Sequence, residues 1–193
     1  MLEIRIHGRG GQGAVIASKI LAVAFFKENK YVQAFPAFGV ERRGAPVAAF
    51  TRIDDQPILL RTSIYHPQHI IVLDQTLLEG IDVTEGLRKG GWVIINAASN
   101  DIKLRDSGSF LVARVDASSI ALKHGLGTRT APIVNTAILG SFARVTALIG
   151  LDSILEAVSE EVPLNKKSNL DATKEAFEQT SILTDIPPIR NVS

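Results

Sequence analysis

Leu2, Ile4 and Ile6 alternate with Glu3, Arg5 and His7, the period-two signature of a strand with one buried face, and a glycine cluster opening at Gly8 ends it. Gln12 to Phe26 is rich in Ala, Ile, Leu and Val and free of proline, which predicts a helix. Ala14, Ala17, Ser18 and Ala22 share one face of it, small enough to lie close against a sheet. Tyr31 to Phe35 reads as a second strand halted by Pro36, and Pro46 to Ile53 as a third. Asp54-Asp55-Gln56-Pro57 is expected to turn the third strand back into Ile58 to Arg61 as an antiparallel hairpin. Ile70 to Leu73, inside His69 to Asp74, is apolar without alternation, as in a central strand covered on both faces. Trp92 to Ile95 repeats that pattern and Phe110 to Val115 adds another strand, with short amphipathic segments at Leu77 to Leu87 and Ser118 to His124.

Ile133 to Ile149 is expected to be the longest helix, capped at Thr130 with Pro132 behind it. Asp152 starts another that runs to Pro163, and Asn165 caps a last one. There Leu170, Thr173, Phe177 and Thr180 recur at helical spacing, leaving Lys174, Glu175 and Glu178 for solvent. Ile186-Pro187-Pro188-Ile189 must be extended. The alternation of strands and helices predicts an α/β protein: a Rossmann-like three-layer fold with a mostly parallel mixed sheet, one antiparallel hairpin and C-terminal helices. No repeat or long linker divides the chain, so residues 1–193 are read as a single domain.

Composition narrows the function classes. With 21 basic and 20 acidic side chains the formal charge is +1, which disfavours nucleic acid or an anionic membrane as partner. The absence of cysteine denies the chain an ordinary iron–sulfur cluster, a disulfide or a common structural zinc site. The start shows no secretory signal, and the most apolar stretch, Ala131 to Gly150, is cut by Asn135 and Arg144. A cytoplasmic protein without a membrane span is expected.

Gly8-Arg9-Gly10-Gly11-Gln12-Gly13 matches G-x-G-x-x-G between a strand and a helix, where backbone N–H groups and a positive helix end can meet a phosphate. The plain alternative is a tight turn that packs helix on sheet. A nicotinamide dinucleotide site would also place a carboxylate near the end of the second strand, but Val32-Gln33-Ala34-Phe35-Pro36 has none and Glu41 lies beyond a proline break. Phe38-Gly39-Val40-Glu41-Arg42-Arg43-Gly44-Ala45-Pro46 should lie beside the glycine turn. Its adjacent arginines suit an anion or an interface, or else form a solvated turn with a local ion pair. His7, His66, His69 and His124 have no metal-ligand spacing and read as structural, and no serine sits in a nucleophile elbow. Asp74 ends a buried strand where α/β sites collect, though capping the next helix is the simpler role.

Taken together, Gly8 to Ala14 with Ser18-Lys19-Ile20-Leu21-Ala22, Tyr31 to Pro36, Gly39 and Glu41 to Pro46 resemble the gamma subunits of the 2-oxoacid:ferredoxin oxidoreductases, above all the pyruvate synthase branch. The resemblance continues through Ile71-Val72-Leu73-Asp74, Trp92 to Asn96 and Pro132 to Gly140, covering most of the chain in order.

The resemblance implies a non-catalytic subunit of an enzyme that converts a 2-oxoacid and coenzyme A to acyl-coenzyme A and carbon dioxide, or the reverse. Thiamine diphosphate, magnesium and iron–sulfur clusters would sit on alpha, beta and ferredoxin-like delta subunits, with ferredoxin as acceptor. This chain would bind no metal or cofactor alone and would carry no catalytic residue. Coenzyme A phosphates would be met by Gly8, Arg9, Gly10, Gly11, Gln12 and Gly13, backed by Lys19, Arg42 and Arg43. Glu41 would orient an arginine, and Phe35 and Phe38 would face a partner subunit. The oxoacid stays open among pyruvate, 2-oxoisovalerate, 2-oxoglutarate and aryl glyoxylates. A purely structural subunit and a stand-alone nucleotide-dependent dehydrogenase are the alternatives.

Overall fold

The computed structural model describes residues 1–37, 43–105 and 110–183. Its centre is β1 (Leu2–Arg9), which pairs on one edge with β3 (Pro46–Asp54), antiparallel, and on the other with β4 (His69–Val72), parallel. Beyond β3 lies β2 (Tyr31–Pro36), antiparallel to it. Beyond β4 follow β5 (Trp92–Asn96) and β6 (Leu111–Val115), both parallel, and then β9 (Ser181–Leu183), antiparallel to β6. The order is therefore β2-β3-β1-β4-β5-β6-β9, and the mostly parallel mixed sheet is as expected.

One face of the sheet is covered by helices: α1 (Ala14–Lys27), α3 (Ala117–Lys123), α4 (Ala137–Thr146), α5 (Leu151–Glu161) and α6 (Lys166–Gln179). Ile4, Ile6, Ile71 and Ile94 meet Ala17, Ile20 and Leu21 of α1 and Ile138, Leu139 and Phe142 of α4 in this core. The small face predicted for α1 is buried as expected, Ala17 and Ser18 completely. The other face carries Ile70, Val72, Val93 and Ile95 under a single turn, α2 (Leu77–Gly80), and under loops that contribute Val83, Ile102 and Leu104. The layers are thus unequal, helical on one side and mainly loop on the other.

Several local expectations are corrected. Ile58 to Arg61 forms no strand, because both hydrogen-bonding edges of β3 are already taken by β1 and β2. The isolated antiparallel hairpin lies elsewhere, between β7 (Gly127–Thr128) and β8 (Ala131–Pro132). That hairpin occupies the expected start of the helix after Thr130, so α4 begins at Ala137, with Thr136 and not Thr130 at its N-cap position. Ala147, in the left-handed region at φ 50°, ends it, leaving α1 and α6, at 14 residues each, longer than α4. The Leu77 to Leu87 segment stops after one turn, since Asp82 Oδ1 accepts from both Thr84 N and Thr84 Oγ1 and offers the backbone a rival to the helix. Asn165 holds the N-cap position of α6 without a side-chain cap bond. Glu175 is ion-paired to Lys123 and hydrogen-bonded to the His124 ring at the end of α3, and not left to solvent. The proline-containing tail from Ile186 to Ile189 lies outside the described residues.

Candidate functional site

After β1 the chain crosses by α1 to β2 on one side, whereas β4, β5 and β6 step away on the other. The carboxyl ends of β1 and β4 therefore flank the point where the strand order reverses, the usual crevice for ligands in an open α/β sheet. The Gly8 to Gly13 loop leaves β1 at this point.

Two of its glycines are required by the backbone. Gly11 and Gly13 have φ of +97° and +80°, and a Cβ on Gly13 would also run into the Asn135 amide. The loop is laid against the Arg43 to Ala45 segment: Gly10 N donates to Ala45 O at 2.9 Å, Gly44 N donates to Gly10 O at 3.0 Å, and Gly10 and Arg43 form a bridge. The expected neighbourhood of the glycine loop and the arginine segment thus holds for Arg43, whose side chain is exposed. Phe38, Glu41 and Arg42 lie outside the described residues.

Arg9, Gln12 and Asp74 tie the loop to the end of β4. Gln12 Oε1 accepts from Arg9 N at 2.7 Å, and Gln12 Nε2 donates to Asp74 Oδ2 at 2.9 Å. Arg9 Nε lies 3.2 Å from the same Asp74 oxygen, while Asp74 Oδ1 accepts from Thr76 N and Oγ1. Partial burial pushes the Asp74 carboxyl up, but the bonds from Thr76 and Gln12 and the charge of Arg9 outweigh it and hold its pKa below the ordinary value. Asp74 is therefore the anchor of the glycine loop, and its only local capping is a turn around Thr76.

Beside this anchor lies a cleft of about 290 Å³ whose walls include Gln12, Asp74, Asn96, Asp116, Ser118 and Thr130. Asn96, at the end of β5, donates through Nδ2 to Leu73 O (2.9 Å) and Ser118 Oγ (3.0 Å). Asp116 caps α3 through Ser119 N at 2.9 Å. The cleft carries two carboxylates and no Lys or Arg among the described residues lines it, so its interior opposes an anion.

The other predicted residues are placed apart from the loop. Lys19 Nζ pairs with Glu161 of α5 at 2.6 Å. Phe35 packs inward on Phe50, ring centroids 5.3 Å apart, with the Arg52 guanidinium 5.3 Å from its centroid. The histidines have structural surroundings: His69 accepts from Trp92 N at Nδ1, and His7 is buried. Burial, with help from Arg5, pushes the His7 pKa down to about 3, and burial alone pushes His69 down to about 4. Sequence reasoning missed Asn96, Asp116 and Ser118; Asn96 and Asp116 carried one signal, a polar residue directly after a predicted apolar strand, and Ser118 carried none. No group of three His, Asp or Glu side chains that could hold a metal ion occurs among the described residues, and no described helix is long and apolar enough to cross a membrane.

Comparison with known proteins adds the rest. The family described as pyruvate ferredoxin/flavodoxin oxidoreductase matches residues 3–179. The pyruvate/ketoisovalerate oxidoreductases common subunit gamma of Thermococcus kodakarensis is 54% identical over 188 residues, covering 94% of this chain and 98% of that one. Pyruvate synthase subunit PorC of Methanothermobacter thermautotrophicus is 49% identical over 181 residues, covering 93% and 96%. The crystal structure of pyruvate oxidoreductase subunit PORC from Thermotoga maritima superposes with a TM-score of 0.78 at 33% identity, covering 94% of this chain and 97% of that one.

Proposed function

The chain belongs to the pyruvate ferredoxin/flavodoxin oxidoreductase family, and from that membership we propose that it is the gamma subunit that presents coenzyme A to the thiamine-bearing subunits of its complex. It is a non-catalytic component of an oxidoreductase. We assign thiamine diphosphate, magnesium and the clusters to alpha, beta and ferredoxin-like delta partners, with ferredoxin as acceptor. The setting that goes with this reading is cytoplasmic, where coenzyme A and ferredoxin are found.

The observation that carries the coenzyme A role is the junction of the glycine loop with the Arg43 segment at the reversal point of the sheet, with Arg9 between them. A second support is chemical. The Thermococcus relative is named as common to pyruvate and ketoisovalerate enzymes, so a subunit of that kind serves reactions that differ in the oxoacid and share the acyl acceptor. Pyruvate is the oxoacid we assign to this chain, with 2-oxoisovalerate next. Holding the coenzyme A thiol near the thiamine intermediate makes a bimolecular encounter effectively unimolecular, and the gain is positional.

A purely structural role is favoured by one observation: the N–H groups of Arg9, Gly10 and Gln12 are all bonded within the protein and not left for a ligand. One experiment separates the readings. The complex is isolated without oxygen through a tag on this chain and assayed for iron, thiamine and coenzyme A-dependent reduction of a viologen dye by each oxoacid. An Arg42→Ala, Arg43→Ala complex should then show a raised KM for coenzyme A. Intact assembly with an unchanged KM would leave the structural role.

A further inference from the structure

Arg9 meets Asp74 through one nitrogen. Nε lies 3.2 Å from Asp74 Oδ2, whereas Nη1 donates to Gly44 O at 3.1 Å and Nη2 to Thr76 Oγ1 at 2.7 Å. A guanidinium fork is shaped for two parallel bonds to a carboxylate or phosphate, and such charge-assisted bonds are about twice as strong as bonds to neutral acceptors. Here the two Nη groups rest on an uncharged carbonyl and an uncharged hydroxyl.

Asp74, for its part, does not depend on Arg9. It accepts from Thr76 Oγ1 at 2.7 Å, Gln12 Nε2 at 2.9 Å and Thr76 N at 3.0 Å, each shorter than the contact with Arg9. Withdrawal of the guanidinium would leave a carboxylate that still has three donors, so the step strands no charge. The Arg9 side chain is 32% exposed and stands where the glycine loop, the Gly44 carbonyl and the end of β4 converge.

We propose that Asp74 is a positioning residue for the anion site, holding Arg9 in reserve by a single long bond until an arriving phosphate draws Nη1 and Nη2 off Gly44 and Thr76. The proposal rests on the coenzyme A reading and deepens it. Gln12 keeps the loop fastened to Asp74 throughout, so the loop keeps its shape while the guanidinium changes partner. Asp74 consequently sets affinity through Arg9, because its hold on the guanidinium has to be released before the phosphate is bound. A site that must let acyl-coenzyme A leave at every turnover is served by such restraint.

The test uses the purified complex and ADP, which carries a pyrophosphate and no thiol, as a competitor of coenzyme A. Asp74→Asn keeps the size of the side chain and removes its charge; it should lower the ADP inhibition constant and the KM for coenzyme A by about threefold or more. Arg9→Gln should raise both, and in the Arg9→Gln background Asp74→Asn should lower neither. If Asp74 only shapes the loop, Asp74→Asn raises both constants whether or not Arg9 is present, and the proposal is overturned, as it is by unchanged constants. Thr76→Val gives a second reading should Asp74→Asn fail to assemble: it removes the hydroxyl that accepts from Arg9 Nη2 and, at 3.3 Å, Nε, leaves the carboxylate charged with Thr76 N and Gln12 Nε2 still donating to it, and should also tighten ADP binding. Should Arg9→Gln and Arg43→Ala both leave the KM for coenzyme A unchanged, the coenzyme A reading falls and this exchange with it. If Arg9→Gln raises KM while Asp74→Asn and Thr76→Val do not lower the ADP constant, only the exchange falls.

Discussion

Glu3 and Arg52 face each other across β1 and β3, with Arg52 Nε donating to Glu3 Oε1 at 2.8 Å and the arginine 1% exposed. The same guanidinium reaches Ser63 O at 3.3 Å and covers the Phe35 ring, so one buried cation fastens the loop after β3 to the thinly covered face of the sheet. Removing a single partner strands the other charge. Arg52→Met should therefore cost about 3–5 kcal/mol in urea unfolding, and a Glu3→Leu, Arg52→Met double variant should recover much of it. Additive losses in the double variant would show that the pair is not the source of the cost.

Gly140 on α4 sits where a Cβ would run into the Thr173 carbonyl of α6 and lie 3.1 Å from Phe177 N. Glycine to alanine inside a helix normally stabilises by about 1 kcal/mol. Here overpacking should win, and Gly140→Ala is expected to lose about 1–3 kcal/mol net. Gly80, where a Cβ would meet nothing within 4 Å, is the control, and Gly80→Ala should be neutral or slightly stabilising. Denaturant midpoints of the two variants decide it, and a stabilised Gly140→Ala protein would refute the close approach of α4 and α6.

One buried and one half-buried imidazole, His7 and His69, make stability fall in acid. Burial lowers His7 to about 3 and His69 to about 4, from an ordinary 6.5, so between those values the unfolded chain binds the protons that the folded chain refuses. Their contribution is complete above 6.5 and is lost as pH falls through about 4 for His69 and about 3 for His7. His69→Gln should flatten the decline between neutral pH and pH ~5 by roughly 1–2 kcal/mol. Unfolding curves at the two pH values check this, and parallel declines in wild type and variant would count against it.

Glu28, just past α1, caps a helix far along the chain: its Oε1 accepts from Gly150 N at 3.2 Å and Ser153 Oγ at 2.8 Å, at the start of α5. Loss of such a cap costs about 1 kcal/mol. Glu28→Ala should destabilise by that amount, whereas Glu28→Gln, which keeps an acceptor oxygen, should lose less. Thermal unfolding of both variants is the measurement, and equal losses would assign the effect to charge alone.

The strands at Leu2, His69, Trp92 and Phe110 and the helix after Gln12 were legible because their signals are local: alternation, unbroken apolar runs, and a glycine cluster between two periodicities. The same holds for the glycine loop and for its neighbour at Arg43. The false hairpin at Ile58 and the early helix start at Thr130 arose where a local signal was right in kind and lost to a stronger partner. In the first case β1 and β2 had taken both edges of β3; in the second the segment was recruited into the β7–β8 hairpin.

By itself the sequence determined the α/β class, the lack of any cysteine ligand and the glycine loop at the end of the first strand, since each follows from residue type and short spacing. Only the tertiary structure decided that Asp74 anchors that loop, that Glu3 and Arg52 pair in the interior, and that Lys19 belongs to Glu161. Asp74 lies 62 residues from Gln12, and Arg52 lies 49 from Glu3. Which polar groups meet over such spans is set by strand order and register, and these are fixed by burial of the whole apolar pattern at once and not by any local preference.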